Sequence, residues 1–195
     1  MNKLAQLITV SEDRLMQILH AHSIGRGYSK YTSTLEEAWR TSISVLSNTM
    51  IGVCESMTGP PELSPDMDYR QDPIAQFGII QAQKHRERGI SIDMFLGLLK
   101  YYRQSYMDLI REANFECEYE NKCRQFVDRF YDRIELGLCK EWLSCPTDNL
   151  LEDLQAKNRI MTNEKNKYLT VYESLPHPAI FINDDFEIKP VQYLF

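Results

Sequence analysis

Apolar residues recur at helical spacing in five successive stretches before a sixth, longer one. Leu15, Ile18, Leu19 and His22 share one face of a helix that Ser11 starts, with Glu12 and Asp13 in its first turn. Gly25 and Gly27 end it. Ser33 to Glu36 reads as a capping box. It opens a second helix that runs through Trp39, Ile43, Leu46, Met50 and Cys54 towards Met57. Thr58-Gly59-Pro60-Pro61 breaks that helix, and a loop extends to Gln71. Asp72-Pro73 caps a third helix carrying Ile74, Phe77, Ile79 and Ile80, which stops near Arg88-Gly89. Ser91 caps a fourth helix with Phe95, Leu96, Leu99, Tyr102, Tyr106 and Ile110. A fifth, about Glu116 to Leu143, carries Phe126, Val127, Phe130, Ile134 and Leu138. The pattern predicts an all-α bundle of about five helices, with Trp39, Phe95, Leu99, Phe126 and Phe130 in one core.

The sixth stretch is the most regular. Leu151, Leu154, Asn158, Met161, Lys165, Tyr168, Tyr172 and Leu175 alternate in steps of three and four. That is a heptad seam, and it predicts a coiled-coil homodimer. Asn158 and Lys165 are polar seam residues, which cost stability but select register and strand number. Beyond Pro176-His177-Pro178 come an apolar run, Ala179 to Ile182, a polar turn at Asn183-Asp184-Asp185, and Phe186-Glu187-Ile188. This reads as the start of a β-rich unit. The expected organisation is a helical domain over 1–146, a coiled-coil helix over 147–175, and a truncated β start over 176–195.

Composition narrows the function classes. A net charge of −6 over 195 residues argues against general nucleic-acid binding, which needs a positive excess. No run has the length of a membrane span, and the first residues lack a secretory signal. The expected location is cytoplasmic. Five cysteines, an odd number, fit a reducing compartment. Neither Cys117 with Cys123 nor Cys139 with Cys145 has metal-site spacing. No phosphate loop, H-E-x-x-H or G-x-S-x-G is present, so no catalytic residues and no enzyme activity are expected.

Two constellations remain as ligand candidates. His85, Arg86 and Arg88 sit at the corner between the third and fourth helices, where guanidinium groups and the free amides after Ser91 suit a small anion. Tyr102, Arg103 and Tyr106 share a face of the fourth helix and suit a polar-lined pocket. The blander readings are a solvated helix end and core tyrosines beside snorkelling cations. His85 is also the best single candidate for a metal or haem ligand, whereas His20 and His22 point to different faces.

Three segments carry a resemblance: Gly27-Tyr28-Ser29-Lys30-Tyr31 through Ala38-Trp39-Arg40, His85-Arg86-Glu87-Arg88-Gly89-Ile90, and Met94-Phe95-Leu96-Gly97-Leu98-Leu99-Lys100-Tyr101-Tyr102-Arg103-Gln104-Ser105-Tyr106. They resemble the helical N-terminal region of soluble bacterial sensor proteins. In those, the region leads into a PAS domain and then a histidine kinase or diguanylate cyclase output. Met161 to Pro178 is similar to the signalling helix that enters the first PAS strand. The resemblance implies a two-component-type sensor input whose partners are a second copy and a downstream output domain. It names no ligand. Residues 189–195 depart from a PAS continuation. A globin-like sensor, with or without haem, and a ligand-free dimerisation module are the alternatives.

Overall fold

The computed structural model describes residues 1–28, 36–143, 149–174, 181–182 and 188–189. Among them are seven helices: α1 (Asn2–Val10), α2 (Glu12–Gly25), α3 (Glu36–Ser56), α4 (Pro73–Glu87), α5 (Ile92–Glu112), α6 (Cys117–Leu143) and α7 (Asn149–Ser174). Two short strands follow, β1 (Phe181–Ile182) and β2 (Ile188–Lys189). They pair antiparallel, with Ile182 opposite Ile188.

Six helices precede the seam helix, not five. The additional one is α1, which buries Leu4, Ala5 and Ile8. It has no polar cap and no acidic first turn, so its nine residues carry no start signal. Packing against α3 holds it, as expected for so short a helix. The Leu4 amide donates to the Met1 carbonyl at 3.0 Å and also reaches the Tyr119 hydroxyl of α6 at 3.2 Å. Ser11 also differs from expectation. It makes no side-chain cap, because α1 runs directly into α2 and its amide donates back to Ile8. The Ser33–Glu36 capping box falls partly on residues outside those described.

The other boundaries follow their local chemistry. Asp72 accepts from the Ala75 amide at 2.9 Å with Pro73 next in the helix. Gly89 takes the left-handed conformation after α4, at φ 74°. α6 is the hub, with α4 and α5 against it. From α5 the packing passes to α2, then α3, then α1. Trp39, Phe95, Leu99, Phe126 and Phe130 are all buried in one core.

The closest helix pair is α4 with α6, and glycine sets its spacing. A Cβ added at Gly78 would lie 2.0 Å from the Ile134 carbonyl oxygen, and one at Gly137 would lie 2.2 Å from that of Ala75. The helices therefore meet backbone to backbone. Gly137→Ala would gain about 1 kcal/mol from helix propensity alone. We expect instead a net loss of about 1–3 kcal/mol in urea unfolding, because one helix must move. A stabilised variant would contradict this contact.

Candidate functional site

α7 leaves the described residues at its heptad positions exposed to solvent. Leu154, Met161 and Tyr168 are 50%, 66% and 70% exposed, and Asn158 and Lys165 are exposed beside them. The side chains of Leu151 and Tyr172, and residue Leu175, lie outside those described. The half-buried residues Thr162, Asn166 and Leu169 form a neighbouring stripe. Thr162 belongs to a cleft of about 240 Å³ between α7 and the end of α4, lined by Glu87, Arg88, Asn158, Met161, Thr162 and Lys165.

The corner residues point in three directions. The His85 ring lies 4.4 Å from that of Phe95, and its Nδ1 is 2.8 Å from the Gln81 carbonyl oxygen. Arg86 reaches the end of α6. It pairs with the Glu141 carboxylate at 3.1 Å, donates to that residue's carbonyl, and lies over the Trp142 ring. Cations at a helix C-terminus complement its dipole. Arg88 remains exposed and borders the α7 cleft. Ser91 starts α5 without a side-chain cap bond.

The α5 residues divide as well. Tyr102 stacks on Trp39 of α3, and burial, partly offset by a bond to Ser42, pushes its phenol up to about 12. The Tyr106 hydroxyl lies 2.7 Å from that of Ser47 in the core. Arg103 turns instead to α6, where Glu135, Asp132 and Asp128 lie 2.6, 3.2 and 3.6 Å away. Tyr131 sits between the two groups, 6.2 Å from the Tyr106 ring and 5.5 Å from the Arg103 guanidinium. Its hydroxyl and Arg103 Nε are buried without a hydrogen-bond partner among the described residues. Arg103 and Tyr106 thus border a polar spot around Tyr131 in the interior, while Tyr102 lies against Trp39.

Burial lowers the His85 pKa. Its bond to Gln81 offsets part of that, and Arg88 and Lys84 add to it. The unfolded chain therefore takes up the proton more readily than the fold. Stability should be constant above about pH 6.5 and fall as pH drops from there towards the lower folded value, with a slope of at most about 1.4 kcal/mol per pH unit. His85→Gln should remove this component when urea unfolding is compared across that window. Equal losses in both proteins would show that His85 does not carry it.

A second cleft, of about 340 Å³, lies between α2 and α5 and is lined in part by Arg14, His22, Asp108, Arg111 and Glu112. His22 Nε2 is 2.9 Å from Asp108 Oδ2, and the imidazole stacks on Tyr101. Burial raises the Asp108 carboxyl pKa, but His22, Gln104 and Arg111 together outweigh this and hold it low. Arg14 makes two bonds to Glu112, so the cleft's charges are mutually paired. The sequence gives no sign of this site, because His22 and Asp108 are 86 residues apart.

Comparison with family models, with curated proteins and with solved structures gives no match.

Proposed function

We propose that this chain is a cytoplasmic signal-input module. It forms a homodimer through α7 and passes a conformational change along that helix to a following PAS or output domain. The observation that carries this reading is the open seam. Leu154, Met161 and Tyr168 stand in water along one face of a 26-residue helix. A second copy of the same helix covers such a face by knobs-into-holes packing, with Asn158 and Lys165 fixing register. The paired strands after α7 supply the β element that a signalling helix would drive. Catalysis, as histidine kinase or diguanylate cyclase, belongs to the output domain in this reading.

The test is Leu154→Glu with Met161→Glu. Sedimentation velocity should show the wild-type dimer reduced to monomer while the helical circular dichroism stays unchanged. Identical sedimentation of the two proteins would sink the reading. For the input itself, a small anion at the α4–α5 corner has Arg88 as its exposed cation. A thermal-shift screen separates a ligand-responsive module from a purely structural dimer, because binding to the fold raises its stability.

One observation favours a globin-like haem sensor as a second reading. The Gln81 carbonyl can only accept, so His85 Nδ1 carries the proton and Nε2 keeps its lone pair. A metal-ligating imidazole is oriented in the same way. Adding haemin should then give a Soret band that His85→Ala shifts. A spectrum of free haemin in both proteins would exclude this reading.

A further inference from the structure

Two buried polar atoms meet where α5 faces α6, and each lacks a hydrogen-bond partner among the described residues: the Tyr131 hydroxyl and Arg103 Nε. Tyr131 is fully buried on α6. The Arg103 guanidinium carbon lies 5.5 Å from the centre of its ring. The neighbouring phenols are satisfied. The Tyr106 hydroxyl is 2.7 Å from that of Ser47, and Tyr102 bonds to Ser42. The outer part of the guanidinium is satisfied too. Nη2 donates to Glu135 at 2.6 Å and to Asp132 at 3.2 Å, and Nη1 lies 3.6 Å from Asp128. Only the inner edge of Arg103 and the phenol it lies against remain.

A buried donor or acceptor left without a partner carries its full desolvation cost, so folded proteins satisfy such groups, with an ordered water where no side chain reaches. Burial, then Tyr106 and Tyr102, push the Tyr131 phenol pKa up; Arg103 opposes this and Glu135 adds to it. The hydroxyl therefore keeps its proton and lies within electrostatic reach of Arg103 and Glu135. We propose that the α5–α6 interface binds one internal water, which accepts from Arg103 Nε–H and is hydrogen-bonded to the Tyr131 hydroxyl. The chemistry of the surroundings selects a neutral guest. Arg103 Nε can only donate, so the guest must accept. A cation would meet the guanidinium, and an anion would meet Glu135 and Asp132, which already oppose that charge. Water accepts from Nε and still has protons and a lone pair for Tyr131, which gives it the two or more polar partners that a buried water needs. Bound there, it joins α5 to α6 directly beneath the Arg103 ion pairs.

The test has two arms, both on the full chain. A crystal structure at a resolution that shows ordered water should place one water within about 3.2 Å of both Arg103 Nε and the Tyr131 hydroxyl. Urea unfolding of Tyr131→Phe, which keeps the ring and removes only the hydroxyl, should show the unfolding constant raised about two- to tenfold, the loss of one net hydrogen bond. A hydroxyl without any partner predicts the opposite sign, because its removal takes an unsatisfied polar group out of the core. Both arms must hold. An unfolding constant that is unchanged or lowered in Tyr131→Phe overturns the site. So does density that shows no water between the two atoms, or Arg103 Nε bonded directly to the Tyr131 hydroxyl.

Discussion

Arg133→Ala is expected to destabilise the protein by about 3–5 kcal/mol, the usual result of leaving a buried charge without its partner. Arg133 and Asp72 are only 6% and 8% exposed. Arg133 Nη1 donates to Asp72 Oδ1 at 3.0 Å, and Nε donates to the Glu62 carbonyl at 3.0 Å. Asp72 meanwhile caps α4 through the Ala75 amide. One guanidinium on α6 therefore holds both the start of α4 and the loop before it. Truncation would strand the Asp72 carboxylate and the Glu62 carbonyl together. A total stability of about 5–15 kcal/mol is typical for a domain, so this would be a large share. Arg133→Met combined with Asp72→Asn should recover much of the loss, because asparagine still caps and no buried charge remains. Urea unfolding checks both variants. A single-variant loss below about 1 kcal/mol would mean that the pair is solvated and contributes little.

Phe126→Ala is the other large effect, also about 3–5 kcal/mol. The side chain is fully buried on α6 in the shared core with Phe130, Tyr131 and Ile134. Its removal loses apolar burial and leaves a cavity in a region too closely packed to collapse fully. Leu136→Ala on the same helix is the comparison. That residue is 39% exposed and should cost much less. Similar losses for the two would show that helix propensity, not core packing, governs α6.

What the sequence made legible is local. Glycine, proline and Asp72-Pro73 marked the end of α3 and both ends of α4, since each acts on the backbone beside it, whereas α5 stops before Asn114, which takes a positive φ of 49°. Core residues were legible through helical spacing, and so was the helix α7. α1 was missed because its stability comes from α3 and α6, which lie far along the chain. The Arg133–Asp72 pair spans 61 residues, and no spacing rule reaches that far. Gly78 and Gly137 sit inside helices, where an isolated glycine hints at close packing. Their partners become identifiable only once α4 and α6 are docked.

The candidate site divides in the same way. The α4–α5 corner was legible as a place, from its density of charge and the terminal Gly89. The directions of its side chains were not, because tertiary neighbours set them. Glu141 and Trp142 draw Arg86 towards α6, and Phe95 receives His85. Tyr102 and Arg103 are adjacent in sequence, yet they face α3 and α6 respectively.

In the proposed function, α7 joins two copies of the chain. Sedimentation equilibrium of the wild-type protein, from low to high micromolar concentration, tests it most directly. The expected result is a reversible monomer–dimer curve whose upper limit is twice the chain mass. A single species of one chain mass across the whole range would contradict it.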